Sequence, residues 1–325
     1  MQSWWIRSEG GKTILDRRDV AAPRPAAGQL LVRVRAAALN RGEFIAAHGL
    51  HAAGAPAKPA GQECAGEVLA VGDGVTAFRP GDRVMGRAPG GFAEQALLDV
   101  REAMSVPARL TWEEAAAVPL VFLVTYDMLY PGGNLAPGEW LLVMGASSGV
   151  GVASVQLGKF VGAKVIGTSG SAPKLDRLRP LGLDLGIQVR GSGFLDAVMK
   201  ATDGKGADLV VNTVGGTVFA ECIRALAFRG RLAMVGYVDG VMSSELDLEA
   251  LHAKRLRLFG VSNKLRTAPQ RAETVAGFVR DVLPAFADGR IRPVVDKVFP
   301  LAELPAAKAY MESDAQLGKI VVTAG

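Results

Sequence analysis

The sequence predicts an α/β chain in two parts: a doubly wound parallel sheet, and a β-rich domain rejoined by the C-terminal tail. Three observations predict it. From Trp140 onward, apolar runs alternate with helical stretches. Residues 1 to about 110 instead carry short strands punctuated by Gly and Pro. The stretch beyond Ser262 is too short for a core of its own and must pack back on the first part.

Taken in order, Gln29–Arg35 alternates Leu30, Val32 and Val34 with Leu31, Arg33 and Arg35, a half-buried strand. Glu67–Val71, Arg83–Met85 and Phe92–Leu98 read as further strands, with turns at Gly72-Asp73-Gly74, Pro80-Gly81-Asp82 and Pro89-Gly90-Gly91. Thr111 followed three residues later by Glu114 is a capping box opening a helix to Ala117. Pro119 breaks that helix, and Val121–Tyr130 resumes it.

Trp140–Met144 is an apolar strand after Pro137-Gly138, and Gly145 to Gly151 is a turn of small residues. Val150–Val161 follows as a helix and Lys164–Thr168 as a second strand, completing a βαβ unit. Helices are predicted near Pro173–Leu181, Phe194–Ala201, Thr217–Phe228 and Leu248–Lys254. Strands are predicted at Leu185–Val189, Ala207–Asn212, Arg231–Val235 and Leu256–Val261, giving six in all. The tail reads as a helix over about Arg271–Ala287 interrupted near Pro284, a strand Val294–Phe299, a helix Leu304–Glu312 and a strand Ile320–Thr323.

Composition narrows the function classes. At 325 residues the chain can form two cores, and 49% hydrophobic with 21% charged residues is ordinary for a soluble enzyme. Lys and Arg exceed Asp and Glu by 37 − 32 = +5, spread along the chain. The densest cationic spot, Lys254, Arg255 and Arg257, reads as a solvated helix end, so no nucleic-acid partner is expected. Ala115–Val124 is too short to cross a bilayer, so no membrane partner is expected either. Cys64 and Cys222 are far apart and give no disulfide framework. Met1–Gly10 carries Arg7 and Glu9 and lacks the apolar core of a signal peptide, so a cytoplasmic location is expected.

The small-residue turn carries the chemistry. A dinucleotide fingerprint spaces three glycines at positions that fall here on Ala146, Ser148 and Gly151, of which only the last is glycine. Gly149 still allows a pyrophosphate to approach the backbone at a helix N-terminus. Gly145-Ala-Ser147-Ser-Gly149 also fits a hydrolase nucleophile elbow, but that reading needs a downstream histidine on a loop. His252, the one histidine downstream, falls within a predicted helix. No tyrosine is followed four residues later by lysine, as a short-chain dehydrogenase would require.

With these pieces together the chain resembles the medium-chain dehydrogenase/reductase superfamily, in its zinc-free, zeta-crystallin-like quinone oxidoreductase branch. The carriers are Ala38-Leu39-Asn40, Gly61-Gln62-Glu63-Cys64-Ala65-Gly66-Glu67-Val68 with Val71-Gly72, and Phe78 to Val84. Gly90 to Glu94, Gly145 to Gly151, Val214-Gly215-Gly216 and Gly318 to Val321 complete them, in family order. The resemblance implies a GroES-like catalytic domain over 1–120 completed by 263–325, and a Rossmann domain over 121–262. It further implies a homodimer paired through Leu256–Val261.

Zinc-dependent relatives carry Cys at Asn40 and His at Gln62, so no metal is expected. His48 and His51 could form a ligand pair, but their Gly- and Ala-rich surroundings favour surface residues. Tyrosines that relatives place at the site are Ile45 and Val189 here, and an acid is Asn212.

NAD-selective sites place an acid at the end of the second strand. Here Thr168-Ser169-Gly170-Ser171 offers hydroxyls instead, with Lys174 beyond, which suits the 2′-phosphate of NADPH. The resemblance adds Thr125 at the nicotinamide ribose and the turn residues Ala146, Ser147, Ser148, Gly149, Val150 and Gly151 at the pyrophosphate. Val214, Gly215, Gly216, Gly236, Tyr237 and Lys319 are further expected cofactor contacts. Asn40 is the expected donor to oxygen in a hydride transfer to a quinone or an α,β-unsaturated carbonyl. An enoyl-thioester substrate, or a non-catalytic NADPH-binding role, are the alternatives.

Overall fold

The computed structural model describes residues 1–45 and 56–324, which divide into two compact units, 1–123 with 266–324 and 124–265. His48 and His51 lie outside the described residues.

In the first unit, Gln29–Ala38 is the central strand. It pairs antiparallel with Glu63–Val71, with Gln95–Asp99 and with the C-terminal strand Lys319–Thr323. Val295–Pro300 extends the sheet on the C-terminal side. Strands from the first 100 residues and from the C-terminal tail therefore share one sheet. Leu30, Val32, Val34, Cys64, Val68, Phe92, Phe299, Leu304 and Val322 form its core. The Trp4 indole donates to the Leu301 carbonyl at 2.8 Å, tying the first strand to the tail. Arg271 clasps the buried carboxylate of Glu102 at 2.8–2.9 Å.

Two elements here differ from expectation. Gln2–Glu9 and Lys12–Asp19 form a hairpin that the hydrophobic pattern does not announce. The signal was the turn: Gly10 and Gly11 both take positive φ, as a two-residue hairpin loop requires. Pro119, expected only as a breaker, is the first residue of helix Pro119–Asp127, where its missing N–H costs nothing. The Thr111–Glu114 capping box is present and opens Trp112–Ala116.

The second unit is a six-stranded sheet in which every pair is parallel. Numbered along the chain, its spatial order is 3-2-1-4-5-6, with Trp140–Met144 first and Ala207–Asn212 fourth. The order reverses between these two neighbours, so their carboxyl ends open a binding crevice. Leu142, Met144, Ile166, Val198, Val210, Val218, Ile223 and Leu232 fill the core around the sheet.

The predicted helix Thr217–Phe228 is corrected to Gly216–Ala225, and the next strand starts at once as Leu226–Met234. Leu226 and Ala227 are apolar in either reading; pairing of Leu226 with Ala207 decides for the strand. Among the described residues no helix is long and apolar enough to cross a membrane.

Candidate active site

In the second unit the small-residue turn sits at the crevice. Gly145 has φ +69°, and a Cβ there would lie 2.8 Å from the hydroxyl of Thr213, just past the fourth strand. That hydroxyl donates to the Met144 carbonyl at 2.7 Å, locking the two strand ends together. The Ser148 hydroxyl caps helix Gly149–Val161 by accepting from the Gly151 N–H at 3.0 Å. Helix geometry then leaves the N–H groups of Gly149 and Val150 without intrahelical acceptors, so they can receive an anion. A Cβ at Gly151 would meet the Gly145 carbonyl oxygen at 2.3 Å, so only glycine lets the helix start this close to the turn.

Ala146 donates its N–H to the Thr168 carbonyl at 2.8 Å, and the Thr168 hydroxyl accepts from Gly145 N–H at 3.1 Å. Ser147 and Ser169 join through their hydroxyls at 3.3 Å. Thr168, Ser169, Gly170 and Ser171 therefore lie beside the turn. Lys174 sits in the following helix, Ala172–Leu178, half-buried. Arg190, which sequence reasoning passed over, lies across Gly170. Its signal was position: it follows Val189, where relatives carry a tyrosine.

Val214, Gly215 and Gly216 are shaped by Asn212. Its side-chain oxygen accepts from the N–H groups of Val214 and Gly215 at 2.9 and 3.0 Å, and its amide donates to the Gly215 carbonyl. An acid at position 212 could accept the same two N–H groups but could not make the third bond while ionised. Asp239 covers the next helix start, accepting from Thr217 and from Val241 N–H. Burial works to raise its carboxyl, but those bonds outweigh it and hold Asp239 below its ordinary value. Gly236 is close by, with a Cβ position 3.4 Å from the Thr213 carbonyl.

Two further observations bear on a bound cofactor. The Thr125 hydroxyl is buried and has no hydrogen-bond partner among the described residues, which a buried hydroxyl rarely tolerates without a ligand or water. Tyr237 is half-buried beside Gly236. Together with the open helix N-terminus, these residues fit a dinucleotide.

In the first unit Asn40 is the hub of a buried polar cluster. Its amide donates to Glu43 Oε1 and Glu63 Oε1, both at 2.8 Å, while its oxygen accepts from Lys319 Nζ at 2.6 Å. The ammonium fixes the amide orientation, since a flipped Asn40 would face donor with donor. Both amide N–H groups are thus engaged, and in this arrangement none remains for an oxyanion. Glu63 also accepts from Leu120 N–H at 2.7 Å.

Lys319, expected as a cofactor contact, is corrected. Its three donors go to the Leu39 carbonyl, Asn40 and Glu63 at 2.6–2.9 Å, and the residue is 5% exposed. Burial pushes the Glu43 carboxyl up to about 8, against the Asn40 hydrogen bond and helped by neighbouring Glu63. Burial likewise raises the Cys64 thiol to about 12, leaving it a protonated, inert core group. Ile45, next to the cluster in sequence, contributes no polar side chain.

Residues 149–278 match the family model described as a zinc-binding dehydrogenase, and residues 26–108 match the alcohol dehydrogenase GroES-like domain. The human synaptic vesicle membrane protein VAT-1 homolog is 31% identical, covering 97% of this chain and 84% of that protein. Acryloyl-coenzyme A reductase of Metallosphaera sedula is 30% identical over 97% of this chain and 98% of its own length. Polyketide synthases also match, and the chain spans 14% of a phenolphthiocerol/phthiocerol polyketide synthase from Mycobacterium tuberculosis. The Escherichia coli quinone oxidoreductase solved with NADPH superposes with a TM-score of 0.88 at 26% identity, covering 99% of this chain and all of that one.

The zinc in the first family's description does not fit these residues. A catalytic zinc takes three ligands of Cys, His or carboxylate type. Asn40 stands at one such position, Gln62 at another, and Glu63 already holds the Lys319 ammonium. Among the described residues no group of three or more His, Cys, Asp and Glu could hold a metal. Two matched domains in sequence order, a 3-2-1-4-5-6 sheet and relatives 30–31% identical over 84% and 98% of their own length lead to one assignment: the chain belongs to the medium-chain dehydrogenase/reductase superfamily.

Proposed function

We propose that the chain is an NADPH-dependent, zinc-independent reductase acting on a quinone or an α,β-unsaturated carbonyl. The observation that carries it is the end of the second parallel strand. Ser169 and Ser171 offer hydroxyls beside the glycine turn, where an NAD site would place an acid. The solved relative with NADPH supports the same choice.

In this reading the Gly149 and Val150 N–H groups hold the pyrophosphate, and the Thr125 hydroxyl gains its missing partner from the nicotinamide ribose. NADPH, when bound, supplies the hydride. Gly215, Gly216 and Gly236 keep side chains out of its path. Asn40 acts as a positioning residue, holding Glu43, Glu63 and Lys319 in register.

An enoyl thioester is the second substrate reading, favoured by the likeness to acryloyl-coenzyme A reductase over that enzyme's full length. We also propose a homodimer joined at the sixth strand of the parallel sheet, Arg257–Gly260, which has a neighbour on one side only among the described residues.

The test is NADPH oxidation screened across quinones, enones and enoyl thioesters. Turnover with a quinone or enone supports the first reading, and turnover with thioesters alone supports the second. Tight NADPH binding without turnover on any acceptor would leave a non-catalytic NADPH-binding protein.

A further inference from the structure

The sequence points to Lys174, beyond the hydroxyls of Thr168 to Ser171, as the cation for the 2′-phosphate. The structure offers a better-placed one. The second and third parallel strands pair with Ser169 opposite Gln188, and Val189 N–H donates to the Ser169 carbonyl at 3.0 Å. This ladder carries the chain past the end of the second strand and fixes Arg190 beside Gly170. The Arg190 side chain then folds over that glycine. A Cβ built at Gly170 would lie 2.5 Å from Arg190 Nε, 2.6 Å from Cγ and 3.0 Å from Cδ. Only glycine at 170 admits the arginine in this pose.

Arg190 is exposed, and it has no hydrogen bond or ion pair among the described residues. Its side chain lies over Gly170 at the strand end, with its donors uncommitted among the described residues. Lys174, by contrast, already interacts within the protein. Next to Gly170 in the chain is Ser169, whose hydroxyl accepts from Ser171 N–H at 3.3 Å and meets the Ser147 hydroxyl at 3.3 Å. No acid follows on this side before Asp176, and Asp176 is engaged by Arg179. A planar fork of N–H donors, hydroxyls and no carboxylate is a recognition set for a phosphate monoester.

We propose that Arg190, seated on Gly170, is the residue that selects the 2′-phosphate, and so sets the preference for NADPH over NADH. This rests on the NADPH reading above. It deepens that reading by assigning the discrimination to a residue at the end of the third strand.

The experiment measures binding by calorimetry, without turnover, using NADPH, NADH, and the fragments 2′,5′-ADP and 5′-AMP. The proteins are wild type, Arg190→Met, Arg190→Lys, Gly170→Ala and Lys174→Met. Arg190→Met should weaken NADPH and 2′,5′-ADP by roughly 10–100-fold, the scale of a charge-assisted bond, and leave NADH and 5′-AMP within about twofold. Gly170→Ala, by displacing the arginine, should reproduce that pattern, and Arg190→Lys should restore part of the loss. Unchanged 2′,5′-ADP affinity in Arg190→Met overturns the proposal, as does an equal loss for both dinucleotides. A larger selective loss in Lys174→Met returns the role to Lys174. Wild type that binds NADH as tightly as NADPH refutes the underlying cofactor reading instead, so the two failures are distinct.

Discussion

Lys319 and Glu63 form an ion pair of 2.9 Å in which the side chains are 5% and 0% exposed. They are 256 residues apart in the chain. The pair therefore ties the C-terminal strand to the strand that begins at Glu63, and Asn40 bridges both. Removing one partner of a buried pair leaves the other charge uncompensated, which costs far more than the pair itself contributes.

Lys319→Met should consequently destabilise the protein by about 3–5 kcal/mol. It would strand the buried Glu63 carboxylate with only the Asn40 amide and the Leu120 N–H to satisfy it. Urea unfolding of wild type and variant measures this. A loss below about 1 kcal/mol would mean that water reaches the cluster and screens it.

Glu43 gives the cluster a pH dependence of definite sign. Its folded value, about 8, lies above its ordinary 4.5. The folded state therefore binds this proton more tightly than the unfolded chain. Stability from Glu43 is full below its unfolded value and is lost as pH rises from about 4.5 to about 8. The charged neighbours that act on it are Glu63 and Lys319, and Lys58 lines the same small cleft. Glu43→Gln should flatten this part of the profile, so the variant gains on wild type as pH increases. Parallel curves for the two proteins across this window would remove Glu43 as the titrating group.

Metal content is the third expectation. With an amide at Asn40, an amide at Gln62 and an ammonium on Glu63, added zinc should not bind stoichiometrically. Elemental analysis after incubation with zinc and desalting decides it. A full equivalent retained, and released together with activity by a chelator, would show that other residues supply the ligands.

Much of the parallel sheet was legible because strands buried on both faces read as unbroken apolar runs, and Trp140–Met144 and Ala207–Asn212 carry no interrupting charge at their centres. The end of helix Gly216–Ala225 was not legible. Ala225, Leu226 and Ala227 continue the apolar run with no Gly or Pro to punctuate it, and only pairing with Ala207 decides. The site divides in the same way. The small-residue turn from Gly145 to Gly151 is local, so spacing revealed it, while its Ser148 cap did not show in the sequence. The Asn40 and Arg190 arrangements depend on long-range neighbours. Asn40 meets a lysine 279 residues away, and Arg190 meets Gly170 through a strand pairing. No pattern in either neighbourhood states that contact.

Assembly is the fourth expectation. Arg257–Gly260 ends the parallel sheet, and its outer edge presents unpaired backbone groups among the described residues. Such an edge invites pairing, and twofold pairing with a second copy satisfies it in closed form. Light scattering at micromolar concentration should give about twice the 34.0 kDa chain mass. A monomer mass would sink the proposed dimer.

The last expectation isolates the turn from the rest of the cofactor site. A Cβ at Gly151 would meet backbone: the Gly145 carbonyl oxygen at 2.3 Å, and Ala146 C and Cα at 2.6 and 2.7 Å. No side-chain rotation relieves that, so Gly151→Ala must lift the helix start away from the turn. The N–H groups of Gly149 and Val150 move with it. Alanine favours helix by about 1 kcal/mol over glycine, and overpacking costs about 1–3 kcal/mol, so global stability should change little. Binding should not be spared: losing aligned donors to a pyrophosphate should weaken NADPH and NADH alike, by roughly tenfold or more. Gly158→Ala is the matched control. It lies in the same helix with the same propensity gain, and its new Cβ meets side chains of the sheet, Leu141 Cδ2 at 2.6 Å and Val165 Cγ2 at 3.1 Å, rather than the backbone of the turn. Binding in Gly158→Ala should stay within about twofold of wild type. If Gly151→Ala also binds NADPH as wild type does, the pyrophosphate does not rest on this turn, and the cofactor site must be sought elsewhere in the second unit.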